Sequence, residues 1–124
     1  MVVAVRGAIR VRSNEKSAIH EAATKLADKI MATNGIEMNR IISVLCSLTE
    51  DLTVANPATA LRLGRFGEVP LFCVQEATVE GQMASLVRML FTYDTDRTER
   101  PQPVYLNGAE GLRPDLAGPD RPRG

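Results

Sequence analysis

Between Asn14 and Thr33 the apolar residues recur as Ala18/Ile19, Ala22/Ala23, Leu26/Ala27 and Ile30/Met31, a four-residue repeat that lines one side of an α-helix. Ser13 or Asn14 is placed to cap its start, Glu15 suits its positive N-terminal end, and Asn34-Gly35 supplies a left-handed residue to stop it. The other apolar stretches are shorter. Val2 to Val5 is β-branched and runs into Arg6-Gly7, which reads as a strand ending in a turn. Ile41 to Leu48 is almost continuously apolar, the pattern of a strand covered on both sides. Pro57 fits the first turn of a short helix over Ala58 to Leu63 that Gly64 closes.

Val69 to Val74 reads as a further strand. Leu86 to Tyr93 fits either period, and its Thr92-Tyr93 end favours a strand. Pro103 to Leu106 is a last short strand. The expected order is therefore β-α-β-α-β-β-β, an α/β (α+β) arrangement in which a mixed sheet packs against helices. Residues 1–116 form one domain on this reading, and residues 117–124, AGPDRPRG from Ala117 on, offer nothing to bury and are expected to be a disordered tail.

Charge narrows the function classes. Lys plus Arg and Asp plus Glu number 15 each, so no global field attracts nucleic acid or an anionic membrane surface. No stretch approaches the roughly 20 apolar residues of a membrane span, and no export signal is visible at the start, which points to the cytoplasm. Cys46 and Cys73 lie within apolar runs and are expected to be reduced core thiols. With one histidine, His20, off the helix's apolar stripe, the chain lacks the clustered ligands of a zinc site and a base for a cysteine nucleophile. No phosphate-binding or dinucleotide-binding glycine motif occurs, so neither cofactor nor metal is expected.

What remains is a set of arginines at strand ends, Arg6, Arg62, Arg88 and Arg113, with Glu76 and Tyr105. A guanidinium fork donates two parallel hydrogen bonds to a carboxylate, so the set suggests an anionic ligand. Taken singly, most of these arginines are expected on the surface. Arg88 differs because it interrupts the apolar run LVRMLF, where a charge must be paired or turned into a cavity.

Six pieces in order, VRGAIRV, TEDLTVANPATALR, VPLFCVQEATVEG, LVRMLFTYDTD, VYL and LRPDL, lie within a match that runs from about residue 2 to residue 116, and in them the sequence resembles the AroH-type chorismate mutases. The resemblance implies a trimeric pseudo-α/β-barrel, a homotrimer with pockets at subunit junctions, and chorismate as substrate. It implies that Arg6 and Tyr105 bind a substrate carboxylate, Arg88 reaches the ether oxygen, and Glu76 accepts from the ring hydroxyl with help from backbone at Cys73. It also implies Arg62 at the pocket mouth, Ala58 and Leu112 as wall contacts, and Arg113 as a residue that orders over the site. Asn56, Thr59 and Phe72 stand where the family pattern leads one to expect Phe, Lys and Thr, and the absent lysine implies weaker substrate binding. Two other readings stay open at this point: an enzyme on the same scaffold for a related cyclic dicarboxylate such as isochorismate, and a non-catalytic trimeric binder.

Overall fold

The computed structural model describes residues 1–116, so the expected tail over residues 117–124 lies outside the described residues. Five strands, β1 (Val2–Arg10), β2 (Ile41–Leu48), β3 (Leu71–Gln75), β4 (Leu86–Asp94) and β5 (Val104–Leu106), form one sheet in the order β3-β2-β4-β1-β5. Two helices, α1 (Lys16–Asn34) and α2 (Pro57–Leu63), complete the order read from the sequence. The central strand β4 runs antiparallel to both β1 and β2, whereas β1–β5 and β2–β3 are parallel pairs, so the sheet is mixed. No helix is long and apolar enough to cross a membrane among the described residues.

Both helices contribute to a single core on one face of the sheet. The α1 stripe meets Val5 and Ile9 of β1, Val44 and Cys46 of β2, and Val87, Met89 and Phe91 of β4, while Ala60 and Leu61 of α2 join the same cluster. Phe66, just after α2, packs edge-on against Phe91 with ring centroids 6.1 Å apart. Each such buried side chain stabilises the fold by about 1.5–3 kcal/mol.

Where the first strand was expected to turn at Arg6-Gly7, β1 continues to Arg10. A Cβ on Gly7 would lie 2.5 Å from Ile30 Cδ1 and 3.1 Å from Leu26 Cδ1. The glycine thus serves helix-to-sheet approach within a strand, not chain reversal. The start of α1 also departs from expectation. Glu15 occupies the cap position without a side-chain cap bond. Ser13 Oγ donates instead to Glu15 Oε1 at 2.7 Å, and Asn14 exchanges two hydrogen bonds with Thr53. The other end is as read, with Gly35 left-handed at φ 60°.

Asn34 does more than end the helix. Its buried amide accepts from the Gln102 N–H at 2.7 Å and donates to the Gln102 carbonyl at 3.0 Å, tying the approach to β5 onto α1. At α2, the Asn56 side chain accepts from the Ala58 N–H at 2.8 Å with Pro57 in the first turn, an N-cap worth about 1 kcal/mol. A local role in starting the helix therefore accounts for asparagine at this position.

The expectation that β2 is covered on both sides fails within one chain. The face away from the helices is only partly roofed, by a 3-10 segment (Ala109–Leu112) that buries Ala8 and Leu86 with Met83, Tyr105 and Leu112 packed around them. Beyond that roof Leu45, Phe72, Val74 and Leu90 remain exposed, Phe72 at 76%. Cys46 and Cys73 are free thiols in register on β2 and β3. Burial pushes the Cys46 thiol up to about 12, which makes it an inert core group.

Candidate active site

Strand register builds the site. Ser47 of β2 pairs with Arg88 of β4, Arg88 pairs with Ala8 of β1, and Ala8 pairs with Tyr105 of β5. Register partners project to the same face, so Ser47, Arg88, Ala8 and Tyr105 form one row across four strands on the side away from the helices. Arg6 lies two residues before Ala8 on that face. Small Ala8 between Arg88 and Tyr105 leaves the space that larger side chains would fill.

A cleft of about 480 Å³ opens over this row, lined by Arg6, Ser47, Glu76, Arg88, Tyr105, Leu112 and Arg113 among others. Glu76 follows directly after β3, where its N–H donates to the Leu48 carbonyl at 2.9 Å. Its carboxylate receives Arg88 side-on, Nε to Oε1 and Nη2 to Oε2 at 3.0 Å, and the Ser47 hydroxyl donates to Oε1 at 2.6 Å. Arg88, set apart in the sequence from the surface arginines, keeps 51% of its side chain exposed in the single chain, and it is both paired and turned into the cleft. Partial burial pushes the Glu76 carboxyl up, but the hydrogen bonds from Arg88 and Ser47 and the charge of Arg88 outweigh this and hold it below its ordinary value. Glu76 is thus an anion at neutral pH.

Arg113 follows the roof segment and pairs with Asp115 through Nε at 3.0 Å and Nη2 at 2.9 Å. The Arg6 side chain has no hydrogen-bond partner among the described residues, although its charge reaches Asp115 and helps Arg113 hold that carboxyl low. Three guanidinium groups line the cleft against two carboxylates, Glu76 within it and Asp115 behind Arg113, and the remaining positive charge suits an anion with a hydroxyl nearby. Among the described residues no group of three His, Cys, Asp or Glu is placed to hold a metal ion.

The family model for "Chorismate mutase type I" matches residues 2–116. The chain belongs to the type I chorismate mutases. It is 40% identical over 118 residues to "Chorismate mutase AroH" of Thermus thermophilus, covering 94% of this chain and 97% of that one. To "Chorismate mutase AroH" of Bacillus subtilis (strain 168) it is 33% identical over 119 residues, 94% of each chain. A solved chorismate mutase from Clostridium thermocellum superposes with a TM-score of 0.85 at 34% identity, covering 89% of this chain and 99% of that one.

In this type I chorismate mutase chain the residues singled out from sequence fall into two groups. Arg6, Glu76, Arg88, Tyr105, Leu112 and Arg113 line the cleft, whereas Ala58, Thr59, Arg62, Phe72 and Cys73 do not. Ala58, Thr59 and Arg62 belong to α2, and Cys73 packs against the helix-side core, its thiol close to backbone at Ala58. Phe72 stands exposed on the open face of β3, the strand at one edge of the sheet. Ser47 was missed by sequence reasoning. The available signal was a hydroxyl in the apolar run IISVLCSL, one of two serines there, with nothing local to mark it.

Proposed function

We propose that this cleft converts chorismate to prephenate, an intramolecular Claisen rearrangement in which a C–O bond breaks as a C–C bond forms. No proton transfer and no covalent enzyme intermediate are needed, which suits a cleft furnished with arginines, one glutamate and one tyrosine. As the ether bond stretches, negative charge grows on its oxygen, and a cation held in place beforehand stabilises the transition state more than the ground state. Arg88 is that cation. Arg6 and Tyr105 hold the enolpyruvyl carboxylate so that the side chain lies over the ring, Glu76 accepts from the ring hydroxyl, and Leu112 and Arg113 close over the bound substrate. The observation that carries this reading is Arg88 fixed side-on by Glu76 in the cleft that Arg6 and Tyr105 share.

The second group of residues fits a homotrimer. Ala58, Thr59, Arg62 and Phe72 sit on α2 and the β3 edge, outside the cleft of their own chain, and the open face carries exposed Leu45, Phe72, Val74 and Leu90. Packing the β3–α2 edge of one subunit over the open face of the next covers that apolar surface and brings those residues, with backbone at Cys73, to the neighbouring pocket mouth. Two free thiols support a cytoplasmic location. The test is direct: purified protein is incubated with chorismate, its ultraviolet absorbance followed and the product identified. Prephenate is expected. Turnover of isochorismate alone, or binding of chorismate without turnover, would overturn the reading.

A further inference from the structure

We propose that Ser47 is a positioning residue of the rearrangement, its hydroxyl fixing the plane of the Glu76 carboxylate and holding that carboxylate against Arg88. The proposal rests on the roles given above to Glu76 and Arg88. Glu76 belongs to the segment after β3, and its backbone is tied by one hydrogen bond to Leu48, so its long side chain needs restraint of its own. On the same face its neighbours Leu45, Val74 and Leu90 are apolar and cannot orient a carboxylate.

An ionised carboxylate only accepts, with about four lone-pair sites, so the Ser47 hydroxyl at 2.6 Å must donate to it. Oε1 then receives two donors, Ser47 and Arg88 Nε, while Oε2 receives only Arg88 Nη2. The one acceptor position left open is on Oε2. A substrate hydroxyl is therefore received at the Oε2 position, and turning the carboxylate out of this plane breaks the Ser47 bond. Ser47 is also the register partner of Arg88, so the strand pairing that places the arginine places the hydroxyl.

Ser47→Ala, Ser47→Thr, Glu76→Gln and the double variant Ser47→Ala/Glu76→Gln are compared with the parent enzyme and with Arg88→Ala. For Ser47→Ala the expected result is a roughly tenfold loss, larger in kcat than in KM, on the scale of a hydrogen bond to a charged group. The acid limb of kcat/KM should move to higher pH, because the carboxyl has lost a donor to its charged form. Ser47→Thr should recover most of the activity, and Ser47→Ala should add little in the Glu76→Gln background. Equal losses in the alanine and threonine variants, persisting without Glu76, would mean a packing role and overturn the proposal. Normal kcat, KM and pH profile in Ser47→Ala beside an inactive Arg88→Ala overturns it while leaving the proposed function standing. An active Arg88→Ala overturns both.

Discussion

Arg88 and Glu76 meet side-on, through Nε and Nη2, which leaves both hydrogens of Arg88 Nη1 without a partner among the described residues. The pair thus orients a guanidinium and leaves donors open, which the proposed function assigns to a substrate oxygen. Removing the group in Arg88→Ala should cost about 3 kcal/mol or more of transition-state stabilisation, comparable to losing an oxyanion donor. Arg88→Lys should recover only part of this, since an ammonium restores charge but not the fork that Glu76 holds. Steady-state kinetics with chorismate decide the matter, and near-normal turnover in Arg88→Ala rejects the assignment.

The pH dependence follows from Glu76. Its carboxyl is held below the ordinary glutamate value of about 4.3. With its pKa depressed in the folded chain, Glu76 favours the native state above the unfolded value, and that contribution disappears as pH falls through the lower folded value. Activity should likewise be flat through neutrality, with its acid limb below the usual glutamate range. A kcat/KM profile with a limb near pH 6 to 7, histidine territory, would count against a site without a titrating base.

Gly7→Ala should weaken the fold next to the site. The added methyl would meet Ile30 Cδ1 at 2.5 Å, and Ile30 and Leu26 are fully buried, so neither has room to retreat. Overpacking of this kind costs about 1–3 kcal/mol. Thermal unfolding should show a lower Tm, and because Gly7 lies between Arg6 and Ala8, kcat should fall as well. An unchanged Tm would mean that α1 can shift away from the sheet freely.

These cases also show what the sequence made legible. The α1 stripe was readable because one helix face repeats every few residues, and Arg88 because a charge inside LVRMLF demands a partner wherever the chain goes. Gly7 misled because the signal for a turn and the signal for a helix lying close above a strand are the same residue, and the helix that decides between them is remote in sequence. Ser13 and Asn14 are good capping residues whose side chains found other partners. Ser47 was invisible because its meaning depends on Glu76, 29 residues away. The open sheet face was misread because an almost continuously apolar strand implies cover on both sides, whereas β2 is covered by the helices on one face and only partly roofed on the other.

Thr59 bears on affinity. It stands on α2, where the family pattern led to an expected lysine, beside Ala58 and Arg62. A cation restored there would face the substrate's ring carboxylate across the proposed subunit junction. Thr59→Lys should lower KM several-fold with little change in kcat, the signature of binding gained equally in ground and transition states. An unchanged KM would remove position 59 from the pocket mouth.

Assembly can be tested on the same surface. Phe72 is 76% exposed on the open face of β3 in the single chain, and with Leu45, Val74 and Leu90 it forms the apolar area that a neighbouring subunit is proposed to cover. Placing a charge there, as in Phe72→Asp, leaves the core of the chain untouched but would bury an unpaired carboxylate in the assembly, a cost of several kcal/mol. Light scattering should therefore give a trimer for the parent and smaller species for the variant. Activity should fall with dissociation and return as protein concentration rises, because each pocket then needs two chains. A parent protein that is monomeric and fully active would be fatal to the shared pocket, since Arg62 and Thr59 lie outside the cleft of their own chain.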